Sequence, residues 1–455
     1  MLMNSSMGDE QQMNLIKSHS GVRGIYGEQL KPGIAYKIAN KFAEQFKLEK
    51  VVIGRDTRSS GEPIKHAVIS GLIAAGTNVI DVNIAPTPAI LYAIKKFRAN
   101  GGIIISASHN PPEWNAIKIA GRNGTLLTSN EVDRILTRIN EEEYISSKPG
   151  RIIRANIISE YLEKLMNCID IDLIREGKFK VVIDAGGGAG SLSTPKLLSK
   201  LGCKVISINS TPGIFTRKIE PTGEALEELK LMVKSTRADV GFAHDCDADR
   251  LACVDDKGRA MSEDYGIAVA VNHELSKTRN KKLVVNISSS NIFREIAEKQ
   301  GAKLYWSPVG EANVVSLMMK VDSDIGAEGS SGGFILRKFH LARDGALAAA
   351  KILEAMAETG KSLSQIIDEM PKYYTIKRTI EAKPKLYGKI REALIKKWSR
   401  EAEVILIDGV KIATNEWWIL VRPSKTEPKI RIIAEAKTQS KAIKLVKECM
   451  ELVKQ

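Results

Sequence analysis

The feature that most constrains this 455-residue chain is the alternation of short β-branched runs with helical patterns along most of its length. Such alternation signals βαβ units wound around mainly parallel sheets. Three blocks can be drawn. In the first, VVIG (51–54), NVIDVN (78–83) and GIIIS (102–106) read as strands, with helices starting near Glu62 and Thr87 and a charged helix over 129–143. The second opens on the amphipathic stretch 157–168 and gives strands at KVVID (180–184), KVISI (204–208) and DVGFA (239–243). Its strands are near-continuous apolar runs, as expected where both sheet faces are covered. The third has strands at LVVNI (283–287) and KLYW (303–306) and ends on a helix over 343–358. From Tyr373 the pattern becomes strand, basic helix (384–399), three strands near 403–407, 417–422 and 430–435, and a last helix from Ser440. The predicted division is therefore 1–152, 153–257 and 258–370 as α/β units and 371–455 as an α+β unit.

Composition narrows the class. Sixty-eight Lys and Arg against 54 Asp and Glu leave a net charge of +14, with 43% hydrophobic and 27% charged residues, ordinary soluble usage. A pI near 9.3 favours anionic partners, yet aromatics are only 5% and no block of five or six like charges occurs, so phosphate esters rank ahead of nucleic acid. Cys168, Cys203, Cys246, Cys253 and Cys449 are scattered and form no CxxC pair, which argues against a disulfide framework or zinc ribbon and fits a reducing cytoplasm. The run 67–80 is too short to span a bilayer and reads as a buried helix and strand. No membrane association and no apolar secretory segment are expected.

Four stretches carry chemistry. SASHNPPEWNAIKIA (106–120) follows a predicted strand, and in doubly wound sheets ligands collect beyond the carboxyl ends of strands. Ser108 and His109 stand there, either as reactive groups or as part of a polar turn ended by Pro111 and Pro112. HDCDADR (244–250) alternates Asp245, Asp247 and Asp249 with Cys246 and Ala248, so an extended backbone would put three carboxylates on one side. Three such charges call for a hard cation such as Mg²⁺. An EF-hand is excluded, because Arg250 and Asp256 occupy its glycine and glutamate positions. RPSKTEPKIR (422–431) sets two cations and two hydroxyls within five residues, suited to a dianionic phosphate or to a charged hairpin tip. GAEGSSGGF (326–334) is a glycine-rich turn whose Glu328, Ser330 and Ser331 suit neutral hydroxyl groups, as on a sugar, if the turn is not merely flexible. DAGGGAG (184–190) lacks the GxGxxG spacing and reads as a tight strand-to-helix turn.

Taken together and in this order, these stretches resemble the α-D-phosphohexomutase family, which includes phosphomannomutase, phosphoglucomutase and phosphoglucosamine mutase. The resemblance runs from GVRG (21–24) to RPSKTEP (422–428). It implies three similar α/β domains with mixed, mainly parallel sheets and a smaller C-terminal α+β domain around a central cleft. SASHNP resembles the phosphoserine loop, with Ser108 carrying the phosphoryl group, and DCDADR the metal loop, with Asp245, Asp247, Asp249 and the phosphorylated Ser108 holding Mg²⁺. RPSKTEP resembles the phosphate loop, so Arg422, Ser424 and Thr426 would hold the non-reacting phosphate. SGVRG brings Arg23 to the site, NAIK brings Lys118, and WSPVGEANV (306–314), containing Gly310, resembles a loop that helps choose the sugar. Arg250 would approach the phosphoserine.

The chain departs from the family pattern at Lys425, usually glycine, at Ser106 and His19, commonly threonine, and at Gly333, histidine in some members. The sugar loop has Glu328 followed by Gly329, Ser330 and Ser331, so either serine can be the sugar contact. The implied activity is interconversion of hexose 1- and 6-phosphates, mannose and glucose phosphates favoured and glucosamine phosphate the alternative, through a hexose 1,6-bisphosphate, with glucose 1,6-bisphosphate as activator. The acceptor of the hydroxyl proton is Lys118, its pKa depressed by a cation such as Arg23, or His109, which titrates near neutrality. A Mg²⁺-dependent phosphatase using Asp245 as nucleophile would leave SASHNP and RPSKTEP unexplained.

Overall fold

The computed structural model describes residues 15–18, 21–381, 384–423 and 429–454. Its strands form four sheets. The first holds β1 (Ile16–Ser18), β2 (Gly21–Ile25), β3 (Lys50–Arg55), β4 (Asn78–Ile84), β5 (Gly101–Ile105), β6 (Trp114–Gly121) and β7 (Ile152–Arg154), ordered β1-β2-β6-β5-β3-β4-β7. The second is β11-β10-β8-β9, from β8 (Lys180–Asp184), β9 (Lys204–Ile208), β10 (Val240–Ala243) and β11 (Ala252–Asp255). The third is β13-β12-β14-β15, from β12 (Lys282–Asn286), β13 (Lys303–Ser307), β14 (Ile325–Glu328) and β15 (Gly333–Leu336).

Alternation within single strands explains the layering. Val51, Ile53, Ile103 and Ile105 face the helices Pro32–Phe46 and Gly61–Ala74, whereas Val52 and Ile104 face the helix Thr87–Lys96. Both faces are covered, which is why the sequence shows unbroken apolar runs. The core on the second face continues through Tyr161, Ile183, Phe242, Phe293 and Leu347. One apolar body thus joins the three α/β units.

The helix expected over 129–143 ends at Leu136. Beyond it the chain turns back, because buried Asn40 and Lys41 take backbone groups of Tyr144 and Glu142. Two polar side chains that need partners thereby outcompete the helical pattern.

The fourth sheet is antiparallel, β16-β20-β19-β18-β17, from β16 (Tyr374–Glu381), β17 (Glu403–Ile405), β18 (Val410–Ala413), β19 (Trp417–Pro423) and β20 (Lys429–Ala436). Ile419, Val421, Ile432 and Ala434 pack under the two helices, and the opposite residues Trp418 and Leu420 meet Ile287 and Trp306 of the third unit. Buried Lys411 sits between the Trp306 and Trp418 rings, 4.0 and 4.2 Å from their centroids, and donates to the Ile287 carbonyl at 2.8 Å.

In each α/β unit a parallel strand is followed by an antiparallel one: β5 by β6, β10 by β11 and β14 by β15. The three connecting turns carry SASHNP, DCDADR and GSSG, so these three chemical stretches are hairpin connections. Arg422 and Pro423 of RPSKTEP end β19. Among the described residues no helix is long and apolar enough to cross a membrane.

Candidate active site

Three of these turns converge. Arg23, Ser108, His109, Lys118, Arg250, Gly310, Glu328, Ser330 and Ser331 line one cavity of about 220 Å³. Ser108 is buried and adopts φ +51°, and its Oγ donates to Asp245 Oδ2 at 2.6 Å. His109 Nδ1 lies 3.5 Å from the same Oγ. Arg23 on β2 donates to Asn110 Oδ1 at 3.4 Å, and Lys118 on β6 reaches Asp247 Oδ2 at 2.6 Å and Asp249 Oδ2 at 3.9 Å.

The metal loop is not extended. It turns, with Ala248 at φ +53°, and the carboxylates of Asp245, Asp247 and Asp249 offer ligand atoms all within 4.8 Å of one another. An extended strand would hold successive same-side residues about 7 Å apart, too far for a shared ion. The three side chains are fully buried, and each commits one oxygen: Asp245 to Ser108, Asp247 to Lys118 and Thr87, Asp249 to Arg343. The remaining Oδ1 of all three is buried without a hydrogen-bond partner. Three clustered buried carboxylates, each with an oxygen lacking a hydrogen-bond partner, fit a hard divalent cation, since buried charges are otherwise paired. The same crowding, burial first and then Asp249 and Asp247, pushes the Asp245 carboxyl up.

Cations surround the triad. Arg250 Nε lies 3.7 Å from Asp245 and 3.8 Å from Asp249. Arg250, burial and Arg23 push the His109 imidazole down to about 2, so it is neutral in ordinary buffers. Lys118 behaves oppositely to expectation. Burial opposes its charge, but Asp247 and Asp249 outweigh burial and hold it above its ordinary range. The direction at Lys118 is thus set by Asp247 and Asp249, not by Arg23.

The sugar loop forms a 3-10 turn, Gly329–Ser331, rather than a free glycine-rich segment. Gly332, at φ +70°, brings its backbone against Leu251 O, where no side chain fits. Glu328 accepts from the Gly310 N–H at 2.7 Å, Asn286 at 2.9 Å and Arg343 at 2.8 Å. Ser330 Oγ lies 2.9 Å from Ser288 Oγ, and Ser331 Oγ donates to the Glu328 carbonyl at 3.2 Å.

Arg422 does not line this cavity; it pairs with Asp408 Oδ2 at 2.7 Å. Ser424 and Thr426, with Lys425, and His19 and Ser20 lie outside the described residues. A larger groove of about 830 Å³ beside Gly61–Ala74 is lined by Arg55 and Lys65, whose charges already meet Glu62 and Asp81.

The structure adds residues that sequence reasoning missed. Buried Arg343 joins Asp249 of the metal loop to Glu328 and Ser331 of the sugar loop and lies 3.3 Å from Glu311. It also explains Gly333: a Cβ there would run into the Arg343 side chain. Thr87 and Arg58 support Asp247 and the serine loop. The available signal for Arg58 was GRDTR (54–58), charged residues at the carboxyl end of a predicted parallel strand.

Comparison with known proteins agrees with this geometry. Descriptions of phosphoglucomutase/phosphomannomutase domains I, II, III and the C-terminal domain match residues 14–146, 159–258, 262–374 and 374–452. A phosphoglucomutase/phosphomannomutase of Thermococcus kodakarensis is 41% identical over 451 residues, covering 95% of this chain and 98% of that one. A probable phosphoglucosamine mutase of Pyrococcus abyssi is 39% identical over 444 residues, covering 96% and 97%. The fold is shared with a phosphoglucomutase/phosphomannomutase family protein of Burkholderia thailandensis, TM-score 0.85 at 23% identity over 98% of each chain. The chain belongs to the α-D-phosphohexomutase family.

Proposed function

We propose that the protein interconverts the 1- and 6-phosphates of a hexose, mannose and glucose phosphates favoured, with Ser108 as phosphoryl carrier. The observation that carries this reading is that Ser108 shares one cavity with the cations Arg23, Lys118 and Arg250, while its Oγ donates to Asp245 of the buried three-carboxylate cluster behind it. Phosphoryl transfer asks mainly for positioning and charge compensation, and this site offers both. A Mg²⁺ held by Asp245, Asp247, Asp249 and a phosphoryl oxygen on Ser108 would neutralise charge on the transferring group.

Ser108 then gives its phosphoryl group to the free hydroxyl of a hexose phosphate: the P–O bond to Oγ breaks as a P–O bond to the sugar forms, giving a 1,6-bisphosphate. After the sugar reorients, its other phosphate returns to Ser108. The hydroxyl proton goes to His109 Nδ1, which stands beside Oγ, because the phosphoryl dianion on Ser108 offsets the Arg250 and Arg23 charges that otherwise hold the imidazole down. Glu328, Ser330 and Ser331 meet the sugar hydroxyls, and Arg422 with Ser424 and Thr426 holds the idle phosphate. Glucose 1,6-bisphosphate serves as activator by phosphorylating Ser108.

The alternative substrate is glucosamine phosphate, which relatives named phosphoglucosamine mutase or probable phosphoglucosamine mutase support as a reading. The test is purified protein with Mg²⁺ and trace glucose 1,6-bisphosphate on the 1-phosphates of mannose, glucose and glucosamine, with inorganic phosphate followed in parallel. Conversion to 6-phosphate without phosphate release supports the mutase and ranks the sugars. Phosphate release without isomer overturns it.

A further inference from the structure

Ser108 adopts left-handed backbone, a conformation that a residue with a side chain keeps only when its surroundings impose it. The turn around it is held at few points. Its own N–H donates to Ser106 Oγ at 3.0 Å, and the Asn110 N–H to the Ala107 carbonyl at 3.1 Å. The carbonyls of Ser108 and Asn110 are both taken by a single group, Arg58 Nη2, at 2.9 and 2.5 Å.

That guanidinium is itself fixed. Arg58 and Asp56 are fully buried and paired through Nη1 and Oδ2, and Asp56 Oδ1 accepts from the Arg58 N–H at 2.9 Å. The Asp56 N–H donates to the Ile105 carbonyl at 3.0 Å, the last residue of β5. The fork therefore ties the end of β3 to the turn leaving β5 at both its entrance and its crest. Arg58 does not line the cavity, so it reaches the reacting serine through these backbone bonds and not by direct contact with Oγ.

We propose that Arg58, held by Asp56, is a positioning residue for the reacting serine, clamping the two carbonyls so that Ser108 Oγ stays aimed at Asp245 and the cavity. The inference rests on the reading of Ser108 as phosphoryl carrier. Only a planar fork reaches both carbonyls while pairing with Asp56; an ammonium at the same place offers charge without that geometry. A displacement of the serine by about 1 Å costs about 100-fold in rate without weakening binding by sugar contacts elsewhere.

Arg58→Lys, Arg58→Gln and Asp56→Asn are compared with Ser108→Ala and the parent. Phosphoryl loading of Ser108 from glucose 1,6-bisphosphate is followed by intact mass, kcat and KM are taken on the hexose 1-phosphate the parent turns over, and thermal unfolding is recorded. Arg58→Gln is expected to lose about 100-fold in kcat and in loading rate with KM within about 3-fold. Arg58→Lys should recover little, and Asp56→Asn should fall between them. Should Arg58→Gln not fold, the other two carry the comparison. Loading and kcat within about 2-fold of the parent in Arg58→Lys and Asp56→Asn overturn the proposal. So does a change confined to Tm or to KM. Mutase activity retained in Ser108→Ala overturns the phosphoserine reading instead, whatever the Arg58 variants do.

Discussion

The Arg422 guanidinium, assigned to the idle phosphate, meets the Asp408 carboxylate at 2.7 Å, and the same Asp408 oxygen accepts the Val309 N–H at 3.1 Å. Asp408 lies between β17 and β18, and Val309 precedes Gly310 in the third unit. One carboxylate thus occupies the cation that the proposed function gives to the idle phosphate, and ties the last unit to the sugar-loop region. Asp408→Asn keeps an acceptor for Val309 but removes the competing charge. It is expected to lower KM for the sugar phosphate about 3-fold, close to the worth of one partly exposed ion pair, without raising kcat. Steady-state kinetics on parent and variant decide; a raised KM would mean that Asp408 orients Arg422 rather than competing for it.

Ser108→Ala should abolish mutase turnover while sugar phosphate binding persists, because the remaining cavity groups are untouched. Calorimetric titration together with the coupled assay distinguishes this from collapse of the site.

Two clusters of buried ligands differ in a way that metal titration can read. Asp245, Asp247 and Asp249 each leave an oxygen unpartnered, whereas Glu274 and Glu354, beside His273, already share the Lys351 ammonium at 2.6 Å each. Asp247→Asn or Asp249→Asn should weaken Mn²⁺ binding, followed by electron paramagnetic resonance, by at least about 10-fold. Glu354→Gln should leave it unchanged.

Arg343 is the shared counter-charge of three buried carboxylates, Asp249, Glu311 and Glu328. Arg343→Gln leaves them facing one another, at an expected loss of about 3–5 kcal/mol. Denaturant unfolding would show it as a lower midpoint, partly restored in Arg343→Lys.

Lys411 supplies a pH test. Burial pushes its ammonium down to about 7 from the usual 10.5. Between those values the unfolded chain holds a proton that the folded chain has released, so stability rises with pH across the window and the cost of burying the charge is greatest below it. Lys411→Met has no such slope. Its denaturation midpoint relative to the parent should therefore be most favourable near pH 7 and decline toward about pH 10. A difference that does not move with pH would show that the Trp306 and Trp418 rings hold the ammonium at its ordinary pKa.

The fold class was legible because strands covered on both faces leave unbroken apolar runs, and helices leave their own period. Among the strands that the sequence does not announce, β6, β11, β15 and β18 follow turns rich in polar or glycine residues, so their sequences read as the tails of loops. Lys118 was placed within a motif, yet its pKa direction could not be, since Asp247 and Asp249 reach it from a unit about 130 residues away.

The order of residues by itself determined the four chemical stretches, because Ser108 with His109, and Asp245 with Asp247 and Asp249, are neighbours along the chain. Local sequence also determined the parallel α/β units that bring those stretches to the ends of strands. Only the tertiary structure decided how the aspartates divide their oxygens, which cations stay charged, and that Arg58, Thr87, Arg343 and Asp408 support the site. Those roles depend on distances of about 3 Å between residues tens to hundreds apart in sequence, and such contacts arise only when separate hairpin turns are packed against one another.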